Sequence, residues 1–569
     1  LGKIRALRFI DGEGELVMMS EEKQPDVRTK PKQDANSDRK SLLVGSAWMT
    51  AGSIISRVLG AIYVIPWGIW MGTHYHSANA LFGRGYNIYS LFLIISTVGI
   101  PGAISKQISH YNSLNEYGIS RRLFYQGLML MGGMGVVTAG VMYLGAPVLA
   151  AGDPRMIPII RSLSWPLLLI PPLSILRGYF QGFAEMAPSA ISQLLEQVAR
   201  LVYILGATFA IMKVMGGNYI DAVSQSTFAA FIGAAAGLVY LVYLYMRQIP
   251  RMNAAIAQSD QSLTVSTRQI ITDIIRQAAP FIILDASITL YQFFDQYTFN
   301  PFMDMFYKLT RDQNDYFFQL FGFNSNKLVM IIVSLAASMA LTVVPLLSAA
   351  QARNDMKSVR EQINNTLELF FFVMLPSSLG MAAVAQPLNT VFYKYDAMGT
   401  MVLQFNSYIA IIMGLFTVLA AILQGVYLNK QAIRYLLYGA IFKITLQYSF
   451  VYYFGVFGPL ATTGIGFLVS CGFMIALLYR DFRFRMGDLI RGTTEILVYA
   501  TIMFAVVTLA VFLMNIVFPA RDRMLAMVEL LLAAGLGAAV YGYLALRFRV
   551  ADRLLGARVA GIRRRLHIK

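Results

Sequence analysis

The stretch from Ser41 to Gly72 stays apolar for longer than the hydrocarbon of a bilayer is thick, and it carries one charge, Arg57, near its middle. At ~1.5 Å per residue the ~15 residues from Leu42 to Arg57 cover about 22 Å of a core ~30 Å thick. The guanidinium therefore lies deep. Such a charge costs at least ~2.5 kcal/mol to insert and is normally kept facing a bundle interior or a watery cavity where it acts. The alternative is a structural ion pair with another helix.

That pattern recurs along the chain. With 57% hydrophobic and only 14% charged residues in 569, the sequence reads as an all-α polytopic membrane protein with about fourteen transmembrane helices from Leu42 onward. An even number puts both tails on one side. The loops on that side are richer in Lys and Arg than the opposite loops, which places both termini in the cytoplasm and the chain in the cell membrane. Residues 1–41 mix charges with polar residues and read as a disordered tail, not a signal peptide, and no function is placed ahead of Met18 and Met19. The net charge of +17 is concentrated partly in a basic tail, 549–569. A tail of that kind following the last span is drawn to anionic membrane lipid rather than to nucleic acid. Cys471 has no partner in the chain, and His74, His76, His110 and His567 do not form a ligand cluster, so neither a disulfide nor a metal is expected.

An internal repeat organises the spans. QGFAEMAPSAISQLLEQVAR at 181–200 resembles QGVYLNKQAIRYLLYGAIFK at 424–443, an offset of 243 residues, and each ends on a basic residue, Arg200 or Lys443. The expected organisation is an N-lobe of six spans (42–247), a cytoplasmic linker (248–269), a C-lobe of six spans (270–490) and two further helices (491–548). The lobes would be related by a pseudo-twofold along the membrane normal, with the substrate between them. Span seven is then the partner of span one, and Asp285 falls at the depth of Arg57 as its counter-charge. Asp295 is turned about 80° from the face of Asp285 and Gln292, and Pro280 favours a bend. Glu196 and Arg200 have the spacing of an intrahelical ion pair, whereas Lys443 has no such partner in its own helix. The stretches near 248–269 and 300–325 read as the longest loops. Asp304, Asp312 and Asp315 in the second read as a solvated face rather than as convergent carboxylates, which argues against an enzyme such as a membrane glycosyltransferase.

SRVLG at 56–60, followed by GIPGAISK at 99–106, resembles the multidrug/oligosaccharidyl-lipid/polysaccharide exporter superfamily. The closer resemblance is to its polysaccharide-biosynthesis branch, with stage V sporulation protein B, the YtgP-type proteins and the MurJ-type lipid II flippases. The resemblance covers residues 42 to about 548. It implies a flippase for undecaprenyl-pyrophosphate-linked peptidoglycan precursor, with Arg57 in a central basic cavity and residues 491–548 forming a groove for the lipid tail. A monomer is expected, with the cell-wall synthesis machinery as a further partner. The chain departs from the pattern: the family's second arginine is replaced by Tyr63, residues 91–100 hold no basic residue, and span eight has only Lys327, read as lying at its outer edge. The substrate-binding candidates are therefore Arg57, Arg84, Lys106, Arg200 and Lys443. No phosphate-binding loop of the GxxxxGK[ST] type occurs, so no cofactor is expected and coupling falls to the membrane potential, H+ or Na+. Asp285, Asp295 and Glu196 are the coupling or counter-ion candidates. A flippase for another isoprenoid-linked glycan and a drug/cation antiporter are the rivals. An antiporter for cations would want carboxylates where the first span has an arginine.

If Arg57 grips pyrophosphate, Arg57→Ala abolishes transport at an unchanged membrane level, and Arg57→Lys restores little because a point charge lacks the planar fork. A lipid-flipping assay with quantification of membrane protein checks this, and a fully active Arg57→Ala protein rejects it.

Overall fold

The second apolar segment is broken by its own glycine. In the computed structural model Gly99 has φ +83°, a conformation that favours glycine. Pro101 follows in the first turn of the next helix, where a missing N–H costs nothing. After α1 (Val64–Met71), the segment is thus two helices, α2 (Tyr75–Thr97) and α3 (Ile100–Ser113). The described residues are 60 and 63–555 apart from 98, 184, 260–271, 273–278, 281 and 518–521, together with Arg563. Arg57 and the residues of both tails beyond these limits lie outside them.

The remaining α-helices longer than four residues follow in order: α4 (Tyr117–Leu144), α5 (Met156–Ser164), α6 (Pro166–Gly182), α7 (Met186–Phe209), α8 (Tyr219–Ala257), α9 (Ser287–Tyr307), α10 (Arg311–Gln319), α11 (Asn326–Ala352), α12 (Met356–Ala383), α13 (Ala385–Tyr393), α14 (Ala397–Gly425), α15 (Asn429–Phe454), α16 (Gly458–Phe482), α17 (Met486–Val517), α18 (Arg523–Arg547) and the short α19 (Val550–Leu555). Among the described residues eleven stretches are long and apolar enough to cross a membrane. Four of them, Val64–Asn112, Met156–Gly182, Arg311–Ser348 and Asn429–Phe482, each contain more than one α-helix.

Two expected loops contain helix. The linker anticipated from residue 248 is still helix through Ala257, with Pro250 inside α8. The loop anticipated at 300–325 is the end of α9, then α10, then a π-helical turn at Leu320–Ser325 that runs into α11. A capping box starts α10: Thr310 Oγ1 accepts from Gln313 N–H while Gln313 Oε1 accepts from Thr310 N–H. Two backbone donors at the helix start are thereby satisfied reciprocally.

The repeat is visible in packing. The Gln-Gly turn after α6 is closed by Glu185 N–H donating to Phe180 C=O at 2.9 Å, and that after α14 by Leu428 N–H donating to Leu423 C=O at 2.8 Å. In the first, a Cβ on Gly182 would meet Ile108 at 2.8 Å and Ser105 O at 3.0 Å. In the second, a Cβ on Gly425 would meet Leu347 at 2.9 Å and Val344 O at 3.2 Å. Each glycine lets its span approach the backbone of the span two earlier, α3 in one case and α11 in the other. GIPGAISK thus has a packing role, and Gly178, one turn before Gly182, rests on Pro101 O.

The tightest crossing joins α15 to α16, where a Cβ on Gly439 would strike Gly466 O and Ser470 Oγ, whereas Gly472 faces open space. Overpacking costs about 1–3 kcal/mol. Gly439→Val should lower the melting temperature of the detergent-purified protein, and Gly472→Ala should leave it unchanged.

Candidate functional site

A cavity of about 550 Å³ lies between α1, α2, α7 and α8 on one side and α9, α11 and α13 on the other. Two cations line it, Arg200 from α7 and Lys327 from α11, together with Tyr63, Asn87, Gln197, Gln292 and Asn326. No carboxylate lines it among the described residues. Lys327 Nζ donates to Tyr63 Oη at 3.2 Å and stands 4.4 Å from the centre of that ring. No carboxylate is within ion-pairing distance of it among the described residues. The π-helical turn just before Asn326 sets its register, packing Phe323 where a Cβ on Gly83 would come within 2.7 Å. Such turns recur at functional positions because they redirect side chains within an otherwise regular helix. Lys327, expected at an outer edge, is a cavity residue.

Arg200 is partly balanced. Glu196 Oε1 accepts from Arg200 at 2.7 Å and Glu196 Oε2 from Arg177 at 2.9 Å. The intrahelical pair expected for Glu196 and Arg200 is present, but one carboxylate serves two guanidiniums, so the triad keeps a positive excess. Arg200 Nε has no partner among the described residues.

Lys443, at the position of Arg200 in the repeat, meets a different fate. It is 1% exposed, and its Nζ donates to Asp295 Oδ1 at 2.6 Å and to Thr463 Oγ1 at 2.8 Å. Gln447 Nε2 adds a bond to Asp295 Oδ1 at 2.9 Å. A partner missing from its own helix is supplied by α9. This satisfied pair sits behind the cavity wall and does not line the cavity. Asp295 instead faces a water-sized space of about 20 Å³ beside Gln292 and Asn326, which line the main cavity as well.

Arg84 lies at one end of the bundle in an ion-pair cluster. Its Nη1 donates to Asp315 Oδ1 at 2.8 Å, and Arg155 Nη2 donates to Asp315 Oδ2 at 2.9 Å and to Asp153 Oδ2 at 2.9 Å. Arg311 pairs with Asp153. Asp315 is fully buried, so its reading as part of a solvated face is overturned: α10 folds inward and two arginines neutralise it. Burial pushes the Asp153 carboxyl up, but the bonds and charges of Arg155 and Arg311 outweigh this and hold it below its ordinary range. A depressed carboxylate stabilises the fold above its unfolded pKa and loses that contribution as pH falls through its folded value. The cluster ties α2 and the 145–155 turn to α10, and removing one partner of such a buried pair costs about 3–5 kcal/mol.

Of the expected site residues that are described, then, only Arg200 lines the cavity. Lys106 is exposed on α3 and Asp285 is exposed where the helix is interrupted at Ala286, so neither lines it. Arg57 lies outside the described residues. The residues missed were Lys327, Asp153, Arg155 and Asp315. The T-x-x-Q start at Thr310 was the signal that could have turned the 300–325 loop into a helix and brought Asp315 and Lys327 inward.

The sequence matches the family described as polysaccharide biosynthesis protein over residues 42–351 and the family described as lipid II flippase MurJ over residues 323–522. Lipid II flippase MurJ of Bacillus subtilis (strain 168) is 32% identical over 540 residues, 92% of this chain and 98% of that protein. Stage V sporulation protein B of the same organism is 27% identical over 210 residues, 36% of this chain and 39% of that protein. Among solved structures, lipid II flippase MurJ in an inward closed conformation aligns with a TM-score of 0.57 at 13% identity, covering 89% of this chain and 99% of that one. An inward-facing multidrug resistance MATE family transporter of the MOP superfamily aligns with a TM-score of 0.57 at 14% identity, covering 76% and 96%. At such identities the structural likenesses speak for the fold alone, which is the all-α, multi-pass membrane fold expected. Matched by the first family over more than half of this chain and to a relative over nearly all of it, this chain belongs to the MurJ lipid II flippase family, and to the family described as polysaccharide biosynthesis protein.

Proposed function

We propose that the chain carries lipid II, the undecaprenyl-pyrophosphate-linked peptidoglycan precursor, from the inner to the outer leaflet by alternating access. The observation that carries this reading is the charge of the central cavity, where Arg200 and Lys327 face a space lined by no described carboxylate. A pyrophosphate in a partly dehydrated cavity is matched by such cations through charge-assisted hydrogen bonds. An organic cation would be repelled, which weighs against a drug antiporter. Tyr63 stands where the family's second arginine stands, and Lys327, bonded to it, supplies a charge beside that position.

In this reading both termini are cytoplasmic, the Arg84 end faces outward, and the ion-pair cluster there is the outer gate. The two six-span lobes rock about the cavity, with the helix interruption at Ala286 as a hinge. Asp285 beside that hinge and the Asp295–Lys443 pair behind the cavity wall are the coupling candidates. A flippase for another isoprenoid-linked polysaccharide would use the same cavity, and the glycan is identified by whether this protein alone sustains a bacterium depleted of its lipid II flippase.

Replacing Lys327 by Met removes a charged hydrogen bond worth about 1.5–3 kcal/mol, so affinity for undecaprenyl pyrophosphate should fall about tenfold to hundredfold, while Lys327→Arg stays within a few-fold. Binding to reconstituted protein measures this, and unchanged binding by Lys327→Met removes the lysine from the site. For the gate, Asp315→Asn should raise labelling of a cysteine placed at Gln292 by an impermeant thiol reagent added from outside. An unaltered labelling rate at wild-type melting temperature rejects the gate.

A further inference from the structure

Beyond the ion-pair cluster, at the Arg84 end, lies a second space of about 760 Å³, within the ~300–1,000 Å³ typical of small-molecule sites. Its lining differs from that of the central cavity. Arg84, Lys308 and Arg311 are matched by Asp153, Asp304 and Asp315, and the rest joins the amides Gln296, Asn300 and Asn314 and the phenol Tyr297 to apolar residues. A pyrophosphate entering it would meet as many carboxylates as cations.

Three buried polar atoms of residues lining this vestibule have no partner among the described residues: Arg84 Nη2, Asn300 Oδ1 and Asn314 Oδ1. Arg84 and Asn314 are 7% and 4% exposed. Arg84 spends Nη1 on Asp315, and Asn314 spends its Nδ2 on Asp304, which leaves one donor and two acceptors. Buried polar groups are rarely left unpaired, and a hydroxyl, which both donates and accepts, suits a mixed set of this kind. The partition between the two spaces is thin. Asn87 lines the central cavity, and its Nδ2 donates at 3.3 Å to Gln296 Oε1, which lines the vestibule.

We propose that the vestibule is a second ligand subsite, which holds the uncharged, hydroxyl- and amide-bearing saccharide of the headgroup on its way out while the phosphates remain at Arg200 and Lys327. This rests on the flippase reading above. The saccharide passes first, through the seam between α2 and α9, once the Asn87–Gln296 and Arg84–Asp315 contacts part.

The test compares two cargoes in proteoliposomes, a glycosylated isoprenyl pyrophosphate and the bare isoprenyl pyrophosphate. Asn300→Leu and, as a second change at the same amide, Asn300→Ala each remove a hydrogen bond to the saccharide. Each should slow the glycosylated lipid about three- to tenfold and leave the bare lipid at the wild-type rate, with an unchanged melting temperature. A parallel arm measures binding of N,N′-diacetylchitobiose, which has neither lipid nor phosphate, to protein in nanodiscs by saturation-transfer NMR; the signal should be present in the wild type and lost in both variants. Equal slowing of the two lipids, or none, with a retained disaccharide signal overturns the subsite. A wild type that moves neither lipid defeats the flippase reading instead, and the saccharide site then stands or falls on the binding arm.

Discussion

A charge held away from water must be neutralised by the groups around it, and the arrangement of this bundle follows from how each charge meets that demand. Asp315 accepts from two arginines, Asp295 from a lysine and a glutamine, and Glu196 from two arginines on two helices. The first two sets join elements far apart in sequence, and the third joins consecutive helices. Because removing one member strands the other, these pairs fix which helices are neighbours as firmly as apolar packing does. Lys327 departs from the pattern among the described residues, since it is stabilised by a phenol and a ring face rather than a carboxylate. That is the condition for a cation held ready for an anionic ligand.

The repeat supplies symmetry that the charges then break. Arg200 and Lys443 occupy the same place in the two copies of the Gln-Gly motif, and the turns and glycine contacts preceding them correspond. One faces the cavity because its carboxylate lies four residues back on its own helix and is shared with Arg177. The other is drawn off by Asp295 and Thr463 on neighbouring helices. One half therefore presents its charge and the other buries it. The water-sized space beside Asp295 keeps that buried pair adjacent to Gln292 and Asn326 of the cavity wall.

The two large spaces differ in what they can hold, and α2 separates them. On its cavity side are Tyr86 and Asn87, and on the vestibule side Arg84. Close packing of Gly83 on Phe323 holds this helix against the π-helical turn. A movement of α2 relative to α9, α10 and α11 would reach both spaces and the ion-pair cluster together, because all three share that seam.

By itself the sequence determined the class of fold and the two Gln-Gly turns that end their spans alike. Apolar runs longer than a bilayer and the Gln-Gly recurrence are local or periodic signals, and their physical consequences need no partner to be known. The Glu196–Arg200 pair was legible for the same reason, as both residues lie on one helix. Only the tertiary structure decided the rest. Lys443 read as a substrate cation until α9 brought Asp295 to it, and Asp315 read as solvated until α10 turned inward beneath Arg84 and Arg155. Lys327 read as peripheral until the π-helical turn set its direction. Whether an intramembrane charge serves a ligand or a neighbour depends on which opposite charge lies within a few ångströms, and for residues on different helices that distance is fixed by packing.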